Sequence, residues 1–428
     1  MPTNYNNIKF FSNRFLVFLF FVLVFGCGSS LVVNFDPRIN PVGFLLYMLC
    51  ILYLLSKPNK SYYSKSTIAT TFWFVLAVWL FTHLFFLDSG FPIMPYFFFV
   101  LHILTGILLL KKYHKDITVY YEKAMVFIAA ISIIGWAIQT SGGSSLLLRS
   151  PILLENPGGT SDYSLILYTL AGESLGIYGG IVRNCGCAWE PGLFSVMVNI
   201  AILFNIFQNK KIIFNKRLIL LLIALITTFS TTGYVMGLVI FAGYYLFGRK
   251  ISIAKRAIYI ALISVGAVYI YNLPFMSEKI NAAADTESFS TEEASYVFYE
   301  KQGRAYTTER FEGIALDFIN FKDKPILGYG IMRENSYIYN NISPAIITSN
   351  GITKPFAMFG IILGVLLFAI MYKSTVKLSN EFLFAPSYLL FIVIILGSVS
   401  YIFDSTPIMR AIQLYALYIP IKLIRTKI

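Results

Sequence analysis

The chain has 428 residues, of which 57% are apolar and 13% charged. Its mean hydropathy is +0.70. That composition excludes a soluble globular protein. The formal net charge of +13 does not point to nucleic acid, because the basic residues gather at the ends of apolar stretches, where they set membrane topology and meet anionic lipid.

Covering a hydrocarbon layer of about 30 Å takes about 20 helical residues. Spans are expected near 15–33, 41–56, 67–87, 93–110, 124–140, 187–207, 215–229, 233–247, 257–273, 355–372, 383–402 and 408–424. The first ends Val24-Phe25-Gly26-Cys27, a faint lipoprotein-like box, and is read as a retained helix. The seventh and eighth share one apolar stretch broken at Ser230-Thr231-Thr232-Gly233. A hairpin there keeps the basic clusters at 210–217 and 249–256 on one side, which favours twelve spans over eleven. With every other gap placed inside from the N-terminus, the cytoplasmic segments, with the span ends that border them, hold 22 of the 34 basic residues and only 3 of the 21 acidic ones. The positive-inside rule therefore puts both termini in the cytoplasm. The expected fold is an all-α polytopic membrane protein of about 12 transmembrane helices with two large periplasmic loops.

The resulting organisation is helices 1–5 over 1–140, a first outer loop over 141–186, helices 6–9 over 187–273, a second outer loop over 274–354 and helices 10–12 over 355–428. In the first loop the semi-apolar stretch 165–182 is interrupted by Gly172, Glu173, Gly176, Gly179 and Gly180, so a re-entrant or interfacial segment is expected. In the second loop an acidic, small-residue run from Asn281 to Glu293 precedes a helix expected from about 304 to 321. Phe311, Ile314, Ala315 and Phe318 recur at helical spacing there, with Arg304 on the same face and Arg310 on the flank. Pro325 and Gly328 end it.

Three stretches carry the candidate chemistry. Arg183 and Glu190 lie beside the outer end of the sixth span, with Pro191 suited to a first helical turn. Glu190 is either a capping acid that complements the helix dipole or a carboxylate that activates a hydroxyl. Arg304 and Arg310 come next, and an arginine on an apolar helix face needs an anion: a phosphate, or a loop carboxylate such as Glu300 or Asp317. Arg333, after the Gly328-Tyr329-Gly330 turn, is a weaker third cation that is equally consistent with simple solvation. Asn350 enters the tenth span, where Asn350-Gly351 also reads as a turn.

The three histidines, His83, His102 and His114, all lie outside the two long loops. No metal-ligand spacing, phosphate-cradling lysine loop or nucleophile elbow is present, and Cys185 and Cys187 are too close for an unstrained bridge. No metal and no cofactor are expected.

Taken together, Arg183, Gly186 and Glu190-Pro191, the Ser-Thr-Thr-Gly hairpin, Gly303-Arg304 with Pro325 and Gly328-Tyr329-Gly330, and Ser349-Asn350 resemble the O-antigen polymerase and O-antigen ligase superfamily of bacterial envelope enzymes. The similarity covers roughly 180–370, with the helical frame around it. The resemblance implies a multi-pass protein of the bacterial inner membrane. It implies a metal-independent glycosyltransferase that polymerises undecaprenyl-pyrophosphate-linked repeat units into O-antigen or capsular polysaccharide at the periplasmic face. On that reading Glu190 and Arg304 are catalytic, and Arg183, Arg310, Arg333 and Asn350 bind pyrophosphate or glycan. The expected partners are the lipid-linked glycan and the bilayer, with a chain-length regulator and a flippase as further ones, and no nucleic acid. Ligases of the superfamily need a histidine where this chain has Ser349-Asn350, which favours polymerase over transfer to lipid A core or protein. The rival in another class is a lipid-linked oligosaccharide transporter, against which the short central inner gaps argue.

Overall fold

A computed structural model of the chain describes residues 12–23, 41–56, 62–63, 67–87, 93–150, 153–155, 163–165, 167–171, 182–247, 252–272, 306–307, 310–344, 346–348, 350–399 and 406–420. Within them the protein is helical, apart from strands of two or three residues. The helices are α1 (Asn13–Phe21), α2 (Pro41–Leu55), α3 (Thr67–Thr82), α4 (Ile93–Tyr113), α5 (Ile117–Thr140), α6 (Ser144–Leu148), α7 (Pro191–Asn209), α8 (Lys216–Thr227), α9 (Thr231–Ala242), α10 (Ile253–Tyr271), α11 (Arg310–Asp323), α12 (Tyr337–Asn341), α13 (Lys354–Glu381), α14 (Leu389–Ser398) and α15 (Pro407–Gln413).

Among the described residues four helical stretches are long and apolar enough to cross a membrane: Ala69–Leu87, Ile93–Thr140, Pro191–Asn209 and Lys354–Glu381. The second contains two helices, α4 and α5, joined by a short turn at His114–Asp116. The chain is thus a multi-pass membrane protein; among the described residues four stretches, not twelve, have the length and composition of a full span. Shorter apolar helices occupy Pro41–Leu55, Thr231–Phe247, Arg256–Gly266 and Leu389–Ser398. The expected twelfth span, 408–424, is reduced to the seven-residue α15, which reaches only about 10 Å. A 3₁₀ turn follows, and Ile419 and Pro420 then pair with Tyr63 and Tyr62. Arg410, inside that expected span, is buried beside Gly106 of α4, with its guanidinium over the Phe99 ring.

The core is organised around α7, which is buried on nearly every face. A helix apolar all round needs neighbours all round, and α5, α8, α9 and α14 supply them. Asn199 pins α7 to α9, its Nδ2 donating to the Gly233 carbonyl at 2.9 Å. The reversal expected at 230–233 is present: Ser230 caps α9, and Gly237 lies against Leu225 of α8. A continuous helix would hold those two residues about 18 Å apart.

Polar groups reach deeper than the sequence suggests. The fifth span was expected from 124, yet α5 begins at Ile117 and buries Glu122 and Lys123. Glu122 accepts hydrogen bonds from Asn205 at 2.8 Å and from Arg217 at 3.3 Å. Arg217 therefore neutralises a buried acid as well as adding to the basic cluster at 210–217.

The first loop also differs from expectation. The stretch beginning at 165 starts as strand, in a three-stranded antiparallel arrangement of Leu153–Glu155, Tyr163–Leu165 and Tyr168–Thr169. Tyr168 packs over Gly135 of α5 and donates to Gln139 at 2.6 Å, which anchors the hairpin to the helix end. The remainder of the expected re-entrant segment, 172–181, lies outside the described residues.

The second loop is interlocked with α13, whose helical dihedrals break at Gly360 (φ 70°, ψ −179°). The loop end enters that break. Ile361 N–H donates to the Pro325 carbonyl at 2.8 Å, while the Tyr329 and Gly330 N–H groups donate to Ala357 and Met358, each at 3.0 Å. Gly328 and Gly360 both hold positive φ and face one another's backbone, where a Cβ would overlap Met358 or Ile326. Trp79 and His83, at the end of α3, close the joint from the side through the Leu327 carbonyl, at 2.7 and 3.1 Å.

Replacing Gly360 by Ala adds left-handed strain of about 1–2 kcal/mol to a backbone overlap. The expected result is a fall of several degrees in the unfolding midpoint of the detergent-purified protein. An unchanged midpoint would show the joint to be slack.

Candidate functional site

Residues 182–190 form an arch over the turn between α8 and α9. Arg183 is almost fully buried, and its Nε donates to the Thr228 carbonyl at 3.2 Å, where α8 ends and its dipole is negative. Asn184 is the keystone. Its N–H donates to the Thr227 carbonyl at 2.9 Å, its Nδ2 donates to Thr227 Oγ1 at 2.9 Å and Ser132 Oγ at 3.3 Å, and its Oδ1 accepts from Gly186 N–H at 2.9 Å. Cys185 is enclosed, and burial pushes its thiol up to about 12, against a lowering by Arg183 and a further raising by Glu190. That thiol is no nucleophile. Its two charged neighbours share one small region.

Glu190 occupies the N-cap position of α7, with extended backbone (φ −141°, ψ 151°) and Pro191 as the first helical residue. Its carboxylate makes no capping hydrogen bond to the helix. It is half-buried and lies over the first turn, with Oε1 3.4 Å from where a Cβ on Gly192 would stand. The dipole of α7 still favours the anion there. Beside it, Ser195 Oγ meets Ser230 Oγ at 3.0 Å and ties the start of α7 to the start of α9.

The second cluster joins the loop helix to α13. The expected helix 304–321 is instead Arg310–Asp323, because Tyr306–Thr307 is a strand paired in parallel with Ile346–Ile347. The helical phase from Arg304 to Phe311 is thereby lost. Arg304 lies outside the described residues; Arg310 is the first residue of α11, and its backbone alone is described. The inward face is Gly313, Leu316, Asp317 and Asn320, whereas Phe318 is 53% exposed. Leu316 packs with Ile338 and Ile346, and Asn320 Oδ1 accepts from Ile338 N–H at 3.0 Å.

Asp317 is fully buried. Thr353 Oγ1 lies 2.8 Å from its Oδ2 and 3.3 Å from Asn350 Oδ1. Among the described residues Asp317 Oδ1 has no hydrogen-bond partner. Burial raises the Asp317 pKa to about 6, opposed by the Thr348 and Thr353 hydroxyls and by the Lys354 ammonium. Asn350 is buried in a turn, its Oδ1 accepting from Ile352 N–H at 2.8 Å and Thr353 N–H at 3.1 Å, so the turn role read from Asn-Gly is realised. Its Nδ2 has no hydrogen-bond partner among the described residues. Lys354 Nζ donates to the Thr348 carbonyl at 2.6 Å. Arg333 is not simply solvated: it donates to the Pro344 carbonyl and stands over the Tyr339 ring at 5.3 Å.

The two clusters share one end of the bundle. Gly243, beyond α9, lies against Leu389 at the start of α14, so these helices pack antiparallel and the start of α9 is level with the end of α14. Gly351, next to Asn350, donates to the Ser398 carbonyl there at 2.7 Å. Arg183, Glu190, Arg333, Asn350 and the first residue of α11 thus belong to the end that carries both long loops. Asp317 and Thr353 emerge as members that the sequence reading did not rank as site residues. An acid in helical register with Gly313, Leu316 and Asn320 was the available signal.

Among the described residues no three His, Cys, Asp or Glu side chains converge to hold a metal ion. No protein-family model matches the chain, and neither a curated protein nor a solved structure is significantly similar to it.

Asn184→Ala would leave the Gly186 N–H without its acceptor inside the arch, at a cost of about 1–3 kcal/mol. The expected outcome is a lowered unfolding midpoint together with faster proteolysis within 182–190. Wild-type behaviour in both would remove Asn184 as the keystone.

Proposed function

We propose that this chain polymerises undecaprenyl-pyrophosphate-linked oligosaccharide repeat units at the periplasmic face of the bacterial inner membrane. The observation that carries this reading is the gathering of Arg183, Glu190, Arg333, Asn350 and the start of α11 at one end of a multi-pass helical bundle. Support also comes from the superfamily resemblance of the same stretches and from the sorting of basic residues, which assigns that end to the outside.

In this mechanism the hydroxyl oxygen of the acceptor's terminal sugar attacks the anomeric carbon of the donor chain. The bond from that carbon to the pyrophosphate oxygen breaks, the hydroxyl proton passes to Glu190, and the carrier pyrophosphate leaves as an anion. Arg304, assisted by Arg310 and Arg183, grips the departing group with planar guanidinium forks. A charge-assisted contact of this kind lowers the barrier by about 2–4 kcal/mol, or about 30- to 1000-fold in rate. Glu190 is suited to its role by its half-buried place at the start of α7, at the end of the bundle that carries both long loops.

Glu190→Gln is expected to abolish polymer while the protein still inserts in the membrane, and Arg304→Lys to lower it at least tenfold, since a point charge does not reproduce the fork. Gel analysis of cell-surface glycan reads both. Single repeat units on the acceptor support polymerisation. Polymer held on the lipid carrier would indicate a ligase, repeat units stranded in the cytoplasm a flippase, and wild-type glycan in both variants would refute the assignment of these residues.

A further inference from the structure

Thr353 has one hydroxyl proton and two oxygens that compete for it, Asp317 Oδ2 at 2.8 Å and Asn350 Oδ1 at 3.3 Å. An ionised Asp317 would take that proton, leaving the longer contact without a hydrogen and a buried charge supported only by the Thr353 and Thr348 hydroxyls and the Lys354 ammonium. A neutral Asp317 with its proton on Oδ2 satisfies every link: the acid donates to Thr353 Oγ1, and the Thr353 hydroxyl donates to Asn350 Oδ1. The remaining Oδ1 is then an uncharged carbonyl oxygen, which is far less costly to bury.

We propose that Asp317, in its neutral form, is a positioning residue: the chain Asp317–Thr353–Asn350 locks α11 onto the entry of α13 and thereby fixes Arg310, two turns before Asp317, at the reaction end of the bundle. The proposal rests on the polymerase reading for what Arg310 does; the lock between α11 and α13 stands apart from that reading. The groups facing Asp317 are Thr348, Thr353 and Lys354 from the strand and helix beyond it, and Tyr329 from the loop end, with Arg333 acting on Tyr329 and Lys354. Lys354 favours ionisation, but its Nζ is directed to the Thr348 carbonyl, and burial prevails, with Asp317 raised from 3.8 to about 6.

The sign of the pH effect follows. A carboxyl whose pKa is raised by docking is bound more tightly while protonated. Docking is therefore strongest below about pH 4, weakens as pH rises to about 6, and is level above that. The full change is up to about 100-fold in the docking equilibrium.

Asp317→Asn supplies the test, because its amide N–H donates to Thr353 Oγ1 as the neutral acid does and cannot ionise. The unfolding midpoints of purified wild type and Asp317→Asn are compared from pH 4 to 8. The lock predicts midpoints that coincide near pH 4, with the variant gaining on wild type up to about pH 6 and holding its advantage beyond. Curves that stay parallel across the range overturn the lock. Positioning is tested with Thr353→Val, which removes the relay hydroxyl: elongation of lipid-linked repeat units extracted from a strain lacking this protein should fall at least tenfold in turnover, with Thr353→Ser, which keeps the hydroxyl, recovering most of it. Unchanged turnover in Thr353→Val overturns the positioning role. Absence of elongation by the wild type defeats the polymerase reading instead, and the pH comparison still decides the lock.

Discussion

The structure depends on a trade of backbone hydrogen bonds at Gly360. A transmembrane helix that breaks must satisfy the freed N–H and C=O groups within protein. Here the loop segment 325–330 supplies them through Pro325, Tyr329 and Gly330. The exchange fastens the largest polar loop of the chain to the helix that follows it. Two glycines facing each other with positive φ make the approach possible.

From that joint the loop end is arranged in sequence. Residues 325–330 seat against Trp79 and His83, α11 runs back over the entry of α13 through Asp317 and Thr353, and the turn at Asn350–Gly351 meets the end of α14. The arch at 182–190 is fastened separately, by Asn184 and Arg183 to the end of α8. Two independently anchored segments thus bring arginines and carboxylates to one end of the bundle. On the proposed reading, charge placed this way serves an anionic leaving group rather than passage of a solute through the centre.

Much of this was legible in the sequence where the signals are local. The Glu190-Pro191 start of α7, the Ser230 cap and the Asn350-Gly351 turn are each set by a few adjacent residues, and each is found where those residues place it. Non-local features were not legible. The parallel pairing of Tyr306–Thr307 with Ile346–Ile347 removed the helical phase that put Arg304 inward, and the inner face of α11 became that of Asp317. The break at Gly360 depends on a partner segment 30 residues earlier, so nothing in the apolar run 355–372 betrays it. Glu122 and Lys123 looked like the edge of a loop because their partners, Asn205 and Arg217 for the acid, lie on other helices.

The central claim is that both loops face the outside of the cell, where lipid-linked glycan is presented. Single cysteines at Ser141, Asn341 and Lys211, all exposed positions, in a chain with its native cysteines replaced, test it with a membrane-impermeant thiol reagent applied to spheroplasts of the host. The account predicts labelling at 141 and 341 in intact spheroplasts and at 211 only after lysis. Labelling at 341 that requires lysis would contradict it.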